Sequence, residues 1–293
     1  MDDSTFIITV YCLVDEWLAG QPPLRRRGFA PALSDSEVLT MEIVGEFRSI
    51  DTDTGLYRHF RRHYAAWFPA LTRIDRSTFA RQAANLWAVK GRLWQHLGGQ
   101  IARDPALSIV DSFPLPVCRF ARARRCRRLR AESAYGRDPV ARQTFYGLRA
   151  HIRIGWPGVI LCGSLAPANV DEMEVAEHEL LEGVTGWALG DRNYWRPAAA
   201  GRLRERDIAL LAPYKWASRE RRPWPRWLTD TRRRIETVIG QLTERYRIKK
   251  VWARDAWHLL ARWLRKVLSH TLAVLLCLRA GLPPLAFDQL ISH

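Results

Sequence analysis

Apolar positions recur with a helical period through the first hundred residues. Residues 6–18 form one such run. Ser34-x-x-Glu37 opens a second: the Ser hydroxyl accepts from the third helical N–H while the Glu reaches back. Val38, Met41, Ile43, Val44 and Phe47 then supply an apolar face. The pattern predicts a third helix over residues 55–68, ended by Pro69. A fourth is predicted from Arg76 to about His96, with Phe79, Ala83, Leu86, Trp87 and Leu93 as its stripe. A basic connector marked by Gly and Pro, residues 25–31, separates the first two helices.

After Gly98-Gly99 the pattern changes. Residues 107–110 are a short apolar run ending at Asp111. Residues 150–154 and 159–165 are β-rich and flank Gly155-Trp156-Pro157-Gly158, which reads as a hairpin. Further strands are expected over 187–189, running into Gly190-Asp191, and over 208–213. Helices are expected over 171–181, 197–206, 230–246 and 256–278, with Pro223 and Pro225 breaking the chain ahead of the last two. Strands alternating with helices predict an α/β domain. The expected organisation is an all-helical domain over residues 1–100 and an α/β domain over 101–293 that includes the C-terminal helices. A chain of 293 residues has room for two domains.

Composition sharpens this picture. With 47% hydrophobic and 26% charged residues the chain is globular rather than disordered. Its net charge is +16, and only five of the 46 basic residues are Lys. Such a surplus of Arg favours a polyanion, nucleic acid first and an anionic membrane second. A spanning helix needs about 20 apolar residues. The apolar run 271–278 is bounded by charge, so a soluble, cytoplasmic, nucleoid-associated protein is expected. Five scattered Cys without a Cys-x-x-Cys pair fit a reducing compartment. His59 and His63 have metal-ligand spacing, but Arg58, Arg61 and Arg62 around them repel a cation.

Two groups of Arg are candidate DNA contacts. Arg58, Arg61, Arg62, Arg76 and Arg81 stand on outer positions of short helices, as in helix-turn-helix-like readers, although a plain charged exterior gives the same pattern. Residues 119–130 hold seven Arg in twelve, among them Arg124, Arg125, Arg127 and Arg128, directly after the first strand.

Three acids stand where chemistry can use them. Asp111 and Asp191 each follow an apolar strand, and in α/β sheets ligands gather at the carboxyl ends of strands. Glu236 lies about 100° from Ile235, at the margin of the buried stripe Ile235, Val238, Ile239, Leu242 and Tyr246, on the same edge as Arg232. Oxygen donors of this kind suit Mg²⁺, and two such ions about 3.5–4 Å apart drive phosphodiester chemistry. Each Asp taken alone also reads as a loop or capping residue, and Arg232 with Glu236 as an ordinary intrahelical pair.

The order Val110-Asp-Ser-Phe-Pro, Gly190-Asp-Arg-Asn-Tyr and Arg232-x-x-x-Glu236 resembles the DDE transposases of bacterial insertion sequences. Phe145-Tyr-Gly-Leu-Arg-Ala-His151, Leu165-Ala-Pro-Ala-Asn-Val-Asp171 and Leu33-Ser-Asp-Ser-Glu-Val-Leu39 are also similar to segments found there. The resemblance covers about residues 5 to 280. It implies an RNase H-like mixed sheet flanked by helices, with Asp111, Asp191 and Glu236 as the catalytic and metal-binding triad. It also implies two Mg²⁺ or Mn²⁺ ions, and cutting and joining of double-stranded DNA at terminal inverted repeats and at a target. Dimerisation on that DNA follows, because two ends are cut together. Arg149 stands where relatives carry Lys, and Arg232 matches the family's Arg; both join the expected DNA contacts. Thr229 and Thr243 replace a Tyr and a Lys common in relatives. Only 44 residues separate Asp191 from Glu236, too few for an inserted β-domain. An RNase H-type nuclease and a non-catalytic DNA-binding derivative are the competing readings.

Overall fold

A computed structural model of the protein describes residues 1–25, 29–214 and 224–291. In chain order its elements are α1 (Asp3–Ala19), α2 (Asp35–Phe47), α3 (Asp53–His63), α4 (Arg76–Asn85), α5 (Trp87–Gly99), β1 (Leu107–Pro116), β2 (Ala134–Asp138), β3 (Gln143–Gly155), β4 (Val159–Pro167), α6 (Glu172–Val175), β5 (Gly186–Leu189), α7 (Pro197–Arg204), β6 (Ile208–Leu211), α8 (Arg226–Glu244), α9 (Ala256–Arg279) and α10 (Phe287–Leu290). Arg26, Arg27 and Gly28 of the expected connector, and the expected break at Pro223, lie outside the described residues. Among the described residues no helix is long and apolar enough to cross a membrane.

The chain divides into two compact units: residues 1–100, 242–248 and 255–293 form one, and residues 101–241 and 249–254 the other. The first is all helical. Its second helix opens on the capping box expected at Ser34 and Glu37. α9 and α10, expected with the α/β part, cluster here instead, while α8 stays with the α/β unit as far as Gln241. The reason is chemical. α9 is buried along most of its length, from Leu259 to Cys277, and a helix buried nearly all round needs neighbours on every side. It packs on α5 and α2. Its buried cations find acids there: Arg265 pairs with Glu46 and, at 2.7 Å, with Asp53, while Lys266 Nζ lies 2.6 Å from Glu46 Oε2. A second buried pair, Lys90 with Glu42, closes at 2.8 Å.

The expected fourth helix is two, and Lys90 makes a contact at the break. Its ammonium donates to the Ala83 carbonyl at 2.8 Å, a group that a continuous helix would spend on a backbone N–H four residues on. The helix breaks at Leu86 between α4 and α5. The third helix stops at His63 rather than continuing to Phe68. There the chain turns back at Tyr64, and the Phe68 ring meets Phe60 edge-on at 5.2 Å.

The second unit holds a six-stranded mixed sheet in the order β2-β3-β1-β5-β6, with β4 also paired to β3. β1 runs antiparallel to β3 and parallel to β5, which is parallel to β6. The hairpin of β3 and β4 forms as expected. β2, which pairs with the start of β3, carries no apolar alternation that would betray it. α6 and α7 cover one face through Val110, Met173, Leu180, Tyr194, Leu203 and Ile208. The helix expected over 171–181 is a single α turn, α6, followed by a π-helical turn at Ala176–Leu180. A mixed sheet flanked by helices, preceded by a helical region, is the RNase H-like arrangement.

Candidate active site

The register of the parallel pair builds the site. β1 and β5 stay paired as far as Ile109 opposite Leu189. Asp111 on β1 and Asp191 just past the end of β5 each lie two residues beyond that last pair, so the two stand level. Asp111 does not end its strand, as the sequence suggested. β1 continues to Pro116 because β3 keeps pairing with it on the other side, Ile152 opposite Asp111. Each Asp is held by a backbone donor. Ser112 N–H donates to Asp111 Oδ1 at 2.8 Å, and Asn193 N–H donates to Asp191 Oδ1 at 2.8 Å. The second bond makes Asp191 the cap of a 3-10 turn over Arg192–Tyr194.

That turn explains Gly190. It drops the fully buried Tyr194 ring onto the strand end, where a Cβ on residue 190 would sit 2.7 Å from Tyr194 Cβ and Cγ. Real Cβ atoms do not approach that closely, and neither of those atoms can swing away. Gly190→Ala will therefore displace the Asp191 turn. We expect a loss of stability of about 1–3 kcal/mol, read by urea unfolding.

Burial and the neighbouring Asp191 charge push Asp111 up to about 7; the Ser112 N–H and Arg232 pull it down only in part. The fold thus favours protonated Asp111, whereas the unfolded chain ionises it near the ordinary carboxylate value of 3.8. The sign follows: ionisation removes stability as pH rises from about 4 to about 7, and below that window the penalty is absent. Asp111→Asn removes the titrating group. Without divalent cations its melting temperature will exceed that of the wild type at about pH 8 and match it near pH 4. Calorimetry at the two pH values reads this directly; equal melting temperatures at both would contradict it.

Glu236 stands on the exposed edge of α8, next to the buried Ile235 and Val238. Arg232 Nη2 donates to Glu236 Oε1, and Arg232 Nη1 lies 3.8 Å from Asp111 Oδ2. The guanidinium therefore stands between the two carboxylates. Among the described residues no three His, Cys, Asp or Glu side chains stand close enough together to hold a metal ion.

The expected DNA contacts divide into exposed and buried. Arg58, Arg61 and Arg62 on α3, and Arg76 and Arg81 on α4, are exposed, with Arg61 donating to the Tyr57 hydroxyl and Arg76 to Thr54 Oγ1. Arg124 and Arg125, in a 3-10 turn over Phe120–Arg125, and Arg127 and Arg128 after it are exposed as well. Arg149 is not. It is 7% exposed and turns inward to Glu172 Oε1 at 2.8 Å and to the Arg137 carbonyl at 2.7 Å. A guanidinium held this way is not open to a phosphate.

Its partner is the residue that the sequence reading missed. Glu172 is a fourth carboxylate beside the site, raised by burial and by Asp191 against the pull of Arg149. A signal was present: Asp171-Glu172 opens a helix, and Asp171 alone caps it by accepting from Met173 N–H. The second acid is free for another task.

A family model described as "Transposase DDE domain" matches residues 101–256, just over half of the chain. No curated protein matches the sequence. Among solved structures, the fold is similar to that of a piggyBac transposase in a synaptic complex with hairpin DNA, determined by cryo-EM. The TM-score is 0.50 at 10% identity, and the likeness covers 98% of this chain and 76% of that one.

Proposed function

The chain belongs to the transposase DDE domain family, and on that premise we propose that it is the transposase of a bacterial insertion sequence, cutting DNA at terminal inverted repeats and joining the ends to target DNA. The observation that carries this reading is the strand register that sets Asp111 level with Asp191, with Arg232 linking Asp111 to Glu236.

The donor set suits a hard divalent cation. Two carboxylates side by side, one of them pushed up to about 7 by burial and by its neighbour, are relieved by a positive charge between them. Asp111, Asp191 and Glu236 are the residues to hold Mg²⁺ or Mn²⁺. When bound, two such ions would supply activation of the attacking oxygen and stabilisation of the leaving one. The remaining work falls to the chain. Ser112 and Asn193 N–H groups fix the Asp carboxylates. Arg232, paired with Glu236 and 3.8 Å from Asp111, supplies a fixed cation beside the site. The exposed Arg of α3 and α4 and of the 119–130 run take DNA phosphates, and two copies assemble on DNA to process both ends.

DNA carrying the inverted repeats that flank the coding region is the substrate for the test. With Mg²⁺, new 3′-OH ends will map to the repeat boundary, and joined products will follow when target DNA is added. Scattered nicks, indifferent to the repeats, would favour a general nuclease.

Affinity gives a second test. Each phosphate contact adds about 0.9 to the slope of log K against log salt. Replacing Arg124, Arg125, Arg127 and Arg128 by Ala in the full chain will lower that slope by about 3–4. An unchanged slope would remove the run from the DNA interface.

A further inference from the structure

Two exposed aromatic rings stand in and beside the arginine-rich segment. Phe120 opens the 3-10 turn that follows β1, and Tyr135 lies on β2. Phe120 is 54% exposed and Tyr135 49%. The two rings meet edge-on at 6.1 Å, and Tyr135 continues onto the buried Tyr146 at 5.0 Å. The sheet anchors this row, because Tyr135 and Tyr146 are cross-strand partners of β2 and β3. One end of the row is held in the core and the other is open to an outside group.

Positive charge surrounds the open end. All seven Arg of residues 119–130 are exposed, and so is Arg137, which shares the Tyr135 face of β2. Among the described residues none of those seven forms an ion pair. Arg alone serves the phosphates of a duplex, whose bases already stack on one another. Open rings among Arg suit bases that have lost their pairing, since every base has a π-face for a ring to stack on while cations follow the backbone.

The strand register relates this patch to the aspartates. β1 pairs with β3 from Ser108 opposite Gly155 to Pro116 opposite Gly147, and Val117 N–H then donates to the Tyr146 carbonyl. Partners share a face and alternate residues return to it. Ile152, Ala150, Leu148 and Tyr146 therefore lie on the face of Asp111, and Tyr135 with them. Tyr146 is level with Val117, about 20 Å along the strand from Asp111. At about 3.4 Å per phosphate, roughly six nucleotides cover that length.

We propose that Phe120 and Tyr135, with the Arg around them, form a stacking platform for unpaired DNA. It holds a single-stranded stretch roughly six nucleotides from Asp111. This rests on the reading of the chain as a DNA transposase and adds to it a site for DNA that has come unpaired near the cut.

The test compares a labelled single-stranded oligonucleotide with the duplex of the same sequence, each binding to the full chain, by fluorescence anisotropy with EDTA present. Phe120→Ala and Tyr135→Ala will each weaken the single strand by about 5-fold or more and leave the duplex unchanged. Tyr135→Phe, which keeps the ring, will bind the single strand as the wild type does. Duplex binding is also the control for fold. Single-strand affinity unchanged in both Ala variants overturns the proposal, as does loss of the duplex in the same proportion. So does a Tyr135→Phe chain as weak as Tyr135→Ala, or a wild type that binds the duplex and not the single strand. Each of those results leaves the transposase reading standing. A wild type that binds neither DNA overturns that reading, and this proposal with it.

Discussion

Replacing Glu236 by Gln will abolish DNA end cleavage while leaving the fold and DNA binding intact, and replacing Glu244 by Gln will do little. Both acids are exposed on α8, so neither substitution disturbs the packing of Ile235, Val238 or Leu242. Their surroundings differ. Glu236 is joined through Arg232 to Asp111, whereas Glu244 is two turns further along the helix, past the end of the α/β unit. Charge stabilisation at a cation-assisted phosphodiester is worth several kcal/mol, so the loss is at least about a thousandfold in rate. Asp111→Asn and Asp191→Asn will match it. Circular dichroism and gel shift in Ca²⁺ serve as the controls for fold and binding. If Glu236→Gln cleaves at the wild-type rate while Glu244→Gln does not, the site on α8 has to be redrawn.

The second large effect is one of stability, in the helical unit. Glu46 is fully buried and is the shared partner of two buried cations, Arg265 and Lys266. Lys266 gains a further anchor on the Tyr246 carbonyl at 2.6 Å, and burial still pulls its pKa down. Removing one member of a buried pair leaves an uncompensated charge and costs about 3–5 kcal/mol. Glu46→Gln will shift the urea midpoint accordingly. Adding Lys266→Met to Glu46→Gln removes one stranded charge and will restore part of the loss, so the two changes will be non-additive. A Glu46→Gln chain as stable as the wild type would mean that water reaches the pair.

The chain order of the carboxylates was readable because each sits beside an apolar run whose period betrays its element. The apolar runs 107–110 and 187–189 announce Asp111 and Asp191, and the helical stripe from Ile235 to Tyr246 places Glu236 at its margin. The capping box at Ser34 was equally plain, since it is a local pattern with a local cause. What the sequence hid depends on contacts distant along the chain. Nothing near Leu86 breaks a helix in the sequence pattern; the structure shows there a contact distant along the chain, Lys90 donating to the Ala83 carbonyl while reaching Glu42, 48 residues away. The place of α9 among the N-terminal helices follows from Arg265 and Lys266 meeting acids more than 200 residues earlier. Arg149 looked like a phosphate contact because a lone Arg in a strand says nothing of Glu172 beyond the next strand. β2 alternates no apolar face and is a strand only because β3 is beside it.

Central to the proposed function is that Asp111, Asp191 and Glu236 converge on divalent cations. Crystals of the chain soaked in Mn²⁺ test it most directly, through anomalous scattering from the metal. The expected map has a peak between Asp111 and Asp191, with carboxylate oxygens at about 2.1 Å. A second peak at Glu236 is expected once DNA is bound and Arg232 has released it. Manganese bound elsewhere in the chain, with none at the two aspartates, would contradict the account.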